Sequence, residues 1–507
     1  MENETIISPS FKAWLLGSRQ HRIILWLIAI ALVVQWGIFK YLYPYANFIH
    51  GDSFVYIQTA YDNLDINTYL AGYSRLLRLF SVFSKSDLAL TSFQYLLVQG
   101  SSLFLLATIF YFYQPNKWVQ LVLLSFMVLN PLFLHMANLV SSDVYFLALS
   151  LVWFALLLWI IHRPFKGLIL WHTAILFIAF TVRYNALIYP FIAVLAFWMA
   201  PLPLRKKWIG ITAPVLLVGL FVLNTGFKYK KLTGQWQYSP FSGWQMANNA
   251  MYAYRYVDSA DRKPVPPRFK QLDNMIRTYF DTTRDVKKNP IEAMQASTVY
   301  MWTRHLTLYK YRELHFTKDT TASELKRWAM MGPFYKDYGN FIIKQYPWHF
   351  ARYFMWPNTI KYYAPPIEFL NVYNSGVDSV TEVARVWFEY PKRKLKIRTS
   401  TPTVYILEFY PILTGIINVV MLLSLICFAL LDGFRQNTLF RKGMLLAATV
   451  WLLNAAFSIF ASSIALRFQA FPILLTTLFT IVLLNRIWKM GIEEVKLEKQ
   501  VAAGSLA

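Results

Sequence analysis

The sequence predicts an all-α, polytopic membrane protein with about ten transmembrane helices and one large extracytoplasmic loop domain. Three observations carry this reading. First, 56% of the 507 residues are apolar and only 15% are charged, against roughly 25% in a soluble domain, which leaves too little polar surface for a soluble chain of this length. Second, apolar stretches recur at the ~20-residue length that crosses roughly 30 Å of hydrocarbon. Third, basic residues gather in alternate short connections, the pattern that orients membrane helices. Together these exclude a soluble enzyme, a disordered chain and a repeat solenoid. The single cysteine, Cys427, excludes an intramolecular disulfide framework. The net charge of +24 fits basic flanks facing a lipid bilayer and anionic substrates rather than nucleic acid.

The expected spans are residues 23–43, 88–112, 118–139, 144–161, 168–182, 184–200, 208–223, 405–431, 443–461 and 468–487. The first is too long for a signal-peptide core, and Tyr41–Tyr45 follows it without a small-residue cleavage site, so it reads as a retained helix. The fifth and sixth are short and suggest a tilted hairpin or partial insertion. Asn130-Pro131 marks a kink inside the third.

Lys12, Arg19 and Arg22 place the N-terminus in the cytoplasm. The same side then receives Lys117, Arg163, Lys166, Arg205, Lys206, Lys207, Arg435, Arg441, Lys442, Arg486 and Lys489. Both termini are thus expected in the cytoplasm, with the protein in the inner (plasma) membrane. The chain divides into an N-terminal transmembrane module (1–223), whose first outer loop is 44–87, an extracytoplasmic loop domain (224–404) and a C-terminal transmembrane module with its tail (405–507). The loop domain carries 28 Lys and Arg against 14 Asp and Glu, and long loops are exempt from the charge rule. Its stretch 334–356, FYKDYGNFIIKQYPWHFARYFMW, mixes aromatics with Lys344, His349 and Arg352. This reads as a juxtamembrane helix in the headgroup plane, with Pro347 where a new helix can begin.

The expected outer boundary collects Asp52, Arg75, Arg78, Lys85, Asp87, Asp143, Arg183, Asn185, Glu408 and Arg467. Ionisable groups beside hydrocarbon are costly, which makes them functional candidates. No Asp, Glu, Lys or Arg lies at the middle of an expected span, where ion-coupled transporters carry such groups.

Four segments stand out on this side: His50-Gly51-Asp52-Ser53-Phe54-Val55-Tyr56, then Asn138-Leu139-Val140-Ser141-Ser142-Asp143-Val144-Tyr145, then Val182-Arg183-Tyr184-Asn185-Ala186-Leu187, and finally Leu466-Arg467-Phe468-Gln469-Ala470-Phe471-Pro472. In this order they resemble the GT-C superfamily of membrane glycosyltransferases, most of all the branch of aminoarabinose and protein O-mannosyltransferases. The resemblance covers about residues 20–225 and 405–488. It implies a GT-C-like core, an acidic residue in the first outer loop, a polyprenyl-phosphate-linked sugar donor and inverting transfer to an acceptor on the outer face. Protein O-mannosyltransferases carry an Asp-Glu pair where Asp52 is followed by Ser53, which argues against a protein acceptor and leaves the acceptor class open.

The chemistry explains the residue types. An acceptor hydroxyl is a weak nucleophile and needs a carboxylate to take or orient its proton. Asp52 is the candidate, with Asp143 as the second catalytic carboxylate. The leaving lipid phosphate gains charge in the transition state, which Arg and Lys stabilise. Arg467, Arg183, Arg75, Arg78 and Lys85 are the candidate phosphate ligands. The plainer alternatives are helix capping for the two aspartates and snorkelling to headgroups for Arg467. No cofactor is indicated: His50 and Asp52 are too few ligands for zinc, and a divalent metal stays an open alternative. Rival functions are a polymerase or ligase for lipid-linked glycans, a flippase or transporter for them, and a non-catalytic envelope scaffold.

Overall fold

Caps and prolines set the helix boundaries. Ser86 and Asn116 cap the helices that follow them through their side chains, and Asn130 does the same with Pro131 in the first turn. The computed structural model describes residues 9–504 except 318, 320, 437 and 462, with side chains described up to 492. The chain runs through α1 (Arg19–Leu42), the short α2 (Asp52–Tyr61) and α3 (Gly72–Ser81), then α4 (Asp87–Tyr113), α5 (Lys117–Val128), α6 (Pro131–Ala137) and α7 (Ser142–His162). Next come α8 (Leu168–Val182), α9 (Tyr189–Met199) and α10 (Leu204–Thr233). Beyond them lie α11 (Pro240–Tyr254), α12 (Glu324–Gln345) and α13 (Trp356–Tyr363), with further helices over Lys270–Thr282 and Thr307–His315 and shorter turns between α11 and α12. The last three helices are α14 (Tyr410–Leu430), α15 (Leu439–Ala461) and α16 (Leu466–Gly504).

This is an all-α, multi-pass membrane protein. Among the described residues the only extended pairings are isolated bridges. Among the described residues eight helical stretches are long and apolar enough to cross a membrane: α1, α4, α5 with α6, α7, α10, α14, α15 and α16. The expected fifth and sixth spans are α8, of 15 residues, and α9, of 11. At 1.5 Å per residue α8 reaches only about 22 Å, short of a full hydrocarbon crossing.

Burial orders the bundle. The membrane-length window of α7 is 89% buried, whereas that of α1 is 17% buried. So α7 is the central helix, packed on α4 and α8, while α1 lies at the edge. Trp26, Ile30 and Val33 point outward from α1, as a lipid-facing surface requires. The break between α6 and α7 leaves carbonyls that water cannot reach, and protein groups must satisfy them. Gln94 Nε2 donates to the Ala137 and Leu139 carbonyls at 2.7 and 2.9 Å.

The 224–404 region packs in two parts. Residues from Trp244 to Phe354 form a core of their own, containing Phe280, Tyr335 and Tyr338. Leu370, Val380, Phe388 and Leu395 instead join the core of the membrane module. Within the first part α11 lies against α12, so closely that a Cβ on Gly243 would sit 1.9 Å from the Gly332 carbonyl oxygen.

The expected helical stretch over 334–356 is helical on both sides of Tyr346, with a break at that residue. α12 begins earlier, at Glu324, and ends at Gln345; Tyr346 adopts φ −131° and ψ 54°, and a new helical stretch begins at Pro347. Proline disfavours helical backbone in the residue before it, so Pro347 both starts one helix and ends the other. Tyr335 and Tyr338 are fully buried in the loop core, while Trp348 and Trp356 face outward.

Candidate functional site

A short backbone clip brings two helix starts together. The Asn47 N–H donates to the Asn138 carbonyl at 2.7 Å, and the Asn47 carbonyl accepts from the Val140 N–H at 3.0 Å. Shortly beyond each side of the clip a helix begins: Asp52 is the first residue of α2, and Asp143 lies in the first turn of α7. Gly51 makes the turn into α2 at φ +97°, a conformation that costs other residues dearly. No side chain caps either helix start. Instead, both carboxylates turn toward cations.

Arg467, the second residue of α16, bridges them. Its Nη2 donates to Asp52 Oδ2 at 2.8 Å and its Nη1 to Asp143 Oδ2 at 3.0 Å. Arg183, which terminates α8, donates to Asp143 Oδ1. The Tyr69 hydroxyl donates to Asp52 Oδ1 at 2.7 Å, and the Ser141 hydroxyl to Asp143 Oδ2. Two carboxylates and two guanidiniums make the cluster formally neutral, which is what permits its burial. A cation at a helix N-terminus opposes the helix dipole, and the two carboxylates offset that at Arg467.

Exposure separates the roles. The side chains of Asp143 and Arg467 are 0% and 4% exposed, that of Arg183 17%, and that of Asp52 24%. Asp52 is therefore the carboxylate that an incoming molecule can reach, and Asp143 sits behind it holding both arginines. The Arg467 guanidinium lies 4.3 Å from the Phe468 ring centre and 4.6 Å from that of Phe369. Arg183 stacks on Phe468 as well, at 4.7 Å. These contacts hold the forks in plane at modest energetic gain. Arg467 Nε is buried, with no hydrogen-bond partner among the described residues. Phe369 adopts φ +66°, unusual for a bulky residue and costing about 1–2 kcal/mol. The Leu466 N–H bond to the Pro366 carbonyl, at 2.8 Å, ties its loop to the start of α16.

Tyr69 comes from the loop before α3. Burial and the neighbouring Asp52 charge push its phenol well above the ordinary tyrosine range, so it remains a proton-bearing donor to Asp52 throughout the working pH range. Its ring centre lies 6.0 Å from that of Trp302 and 6.1 Å from that of Phe241, which links the site to the loop core. Tyr69→Phe keeps the ring and removes the hydroxyl. A hydrogen bond to a charged group contributes about 1.5–3 kcal/mol, so any Asp52-dependent reaction is expected to slow about tenfold or more with unchanged expression. An unaltered rate in this variant would remove Tyr69 from the site.

Four of the seven candidates from the sequence thus converge: Asp52, Asp143, Arg183 and Arg467. The other three have partners elsewhere. Arg75 pairs with Asp65 at 2.5 Å, Arg78 donates to the Ala60 carbonyl at 3.0 Å, and Lys85 pairs with Glu389 at 2.7 Å. Tyr69, Ser141 and Phe369 join the cluster without having been singled out as candidates. Among the described residues no group of three or more His, Cys, Asp or Glu side chains is placed to hold a metal ion. No protein-family model, curated protein or solved structure matches this chain.

Proposed function

We propose that this protein is a membrane glycosyltransferase of GT-C architecture that moves a sugar from a polyprenyl-phosphate donor to an acceptor on the outer face of the inner membrane. The observation that carries the reading is the Asp52–Arg467–Asp143–Arg183 cluster, in which one reachable carboxylate stands beside the buried Arg467 and the partly buried Arg183 guanidiniums, at the starts of the membrane-length α7 and α16. There the donor's phosphate lies at the headgroup boundary, its lipid tail among the helices and its sugar toward water.

In the proposed reaction the acceptor hydroxyl attacks the anomeric carbon as its proton passes to an Asp52 carboxylate oxygen. The new C–O bond forms while the bond from the anomeric carbon to the lipid phosphate breaks, and the phosphate leaves with the bonding electrons. A single displacement inverts the anomeric centre. Arg183 and Arg467 supply the positive charge that stabilises the departing phosphate. Asp143 keeps both guanidiniums oriented, and Tyr69 keeps Asp52 aimed.

This reading requires the Asp52 end of the bundle and the 224–404 region to lie outside and both termini inside. Alternate basic connections support that sidedness. Reporter fusions at Gly234 and after Ala507 are expected to give an extracytoplasmic and a cytoplasmic signal respectively; the reverse pair would invalidate the site's placement. The function itself is tested by mass spectrometry of lipids that purify with the protein. A polyprenyl-phosphate sugar is expected, and its absence from protein that shows no transfer with any such donor would refute the reading.

A further inference from the structure

The same helix that carries Arg467 carries a second basic site at its other end. From Arg467 to Arg486, α16 rises about 29 Å, which matches the hydrocarbon thickness of a bilayer. Arg486 therefore sits at the membrane boundary opposite the Asp52 cluster. Beside it a small cleft of about 50 Å³ lies between the end of α4, the start of α15 and the middle of α16.

The cleft has two unlike walls. Tyr113, Phe440 and Val482 make one apolar and aromatic, while Asn485, Arg486 and Lys489 make the other polar and cationic. Among the described residues neither Arg486 nor Lys489 has an acidic partner. Lys489 makes only a long bond, 3.4 Å, to the Gln114 carbonyl, and Asn485 Oδ1 accepts the Asn116 N–H at 3.1 Å. Gln114 turns the chain there at φ +43°, ending α4 and opening the space between the helices.

We propose that this cleft is a binding site for an anionic phospholipid of the leaflet opposite the Asp52 cluster. Three features select that ligand class. The two cations, which have no acidic partner among the described residues, call for a phosphate, which an arginine fork can hold through two oxygens. The apolar wall calls for the glycerol and first acyl carbons attached to it. The position at the end of membrane-length helices is where such headgroups lie, and basic pockets between helices at a membrane surface select anionic lipids. A free anion would use the cationic wall alone, and a zwitterionic lipid would bring a choline or amine against Arg486 and Lys489. The site is independent of the reaction proposed for Asp52.

The test uses the full-length protein, delipidated in neutral detergent, with phosphatidylglycerol and phosphatidylcholine of identical acyl chains. Native mass spectrometry is expected to show phosphatidylglycerol retained about tenfold more strongly, and phosphatidylglycerol alone is expected to raise the melting temperature. In the double variant Arg486→Gln, Lys489→Gln, retention should fall to the phosphatidylcholine level. Lys85→Gln, on the Asp52 side of the protein and paired with Glu389 outside the cluster, should retain phosphatidylglycerol like the wild type. Equal retention of both lipids by the wild type, or undiminished phosphatidylglycerol retention by the double variant, overturns the proposal. Full displacement by millimolar inorganic phosphate would also overturn it, by showing a free-anion site. Should the double variant fail to fold, the lipid-selective melting shift of the wild type decides the question.

Discussion

Asp52→Asn is expected to lower sugar transfer about 100-fold or more, the usual contribution of a positioned general base. The substitution nearly preserves shape, and asparagine still offers an oxygen to Arg467 or Tyr69. Because the side chain is 24% exposed, thermal stability and donor binding should change little. Asp52→Glu should recover only part of the rate, since one extra methylene moves the carboxylate off the line set by the 2.7 Å bond from Tyr69 and the 2.8 Å bond from Arg467. Asp143→Asn is the informative contrast. Asp143 is fully buried and binds both arginines, so its loss should show more in the melting curve than Asp52→Asn does, and its effect on transfer should come through misplaced guanidiniums. Stopped-turnover assays with purified variants, read beside melting curves, separate the two. A wild-type transfer rate in Asp52→Asn would make Asp52 a structural ion-pair partner and nothing more.

The second large effect is expected at Arg467. Its removal leaves Asp52 and Asp143 facing each other with only Arg183 to balance them. Breaking a buried ion pair from one side costs about 3–5 kcal/mol, so Arg467→Ala should lower the melting temperature clearly and weaken donor binding together. Arg467→Lys keeps the charge but loses the planar fork that spans two carboxylates, and it loses the stacking on Phe369 and Phe468. It should fold better than the alanine variant while binding donor less well than the wild type. Donor titration against both variants checks this. Wild-type affinity in both would leave Arg467 a structural bridge with no part in phosphate binding.

The sequence makes the bundle legible because hydrocarbon thickness sets a length that apolar stretches must meet. The short α8 and α9, and the break at Asn130-Pro131, are visible on the same ruler. The stretch 334–356 reads two ways for a physical reason. Aromatics mixed with cations suit a headgroup plane and equally suit a helix that buries Tyr335 against Trp244 and Tyr338 against Phe269 while turning Lys336 to water. At the site, each charged member is visible as an ionisable residue beside hydrocarbon. Their meeting is not, because the Arg467 contacts bridge 415 and 324 positions of sequence. Nothing local distinguishes Arg183 from Arg75 or Arg78, since only the fold decides that one faces Asp143 and the others face Asp65 and the Ala60 carbonyl. Tyr69 is an ordinary loop aromatic in the sequence, and a left-handed Phe369 is the last thing a phenylalanine suggests.

The central claim is that Asp52 and the arginines behind it discharge a lipid-linked sugar. The most direct measurement follows a radiolabelled polyprenyl-phosphate sugar bound to purified protein in lipid vesicles, and records release of free polyprenyl phosphate when envelope glycolipid acceptors are added. The wild type should release it as sugar appears on the acceptor, while Asp52→Asn should hold the donor intact at near wild-type occupancy. Donor discharge at equal rates in the two proteins, or a wild type that binds no such donor, would contradict the account.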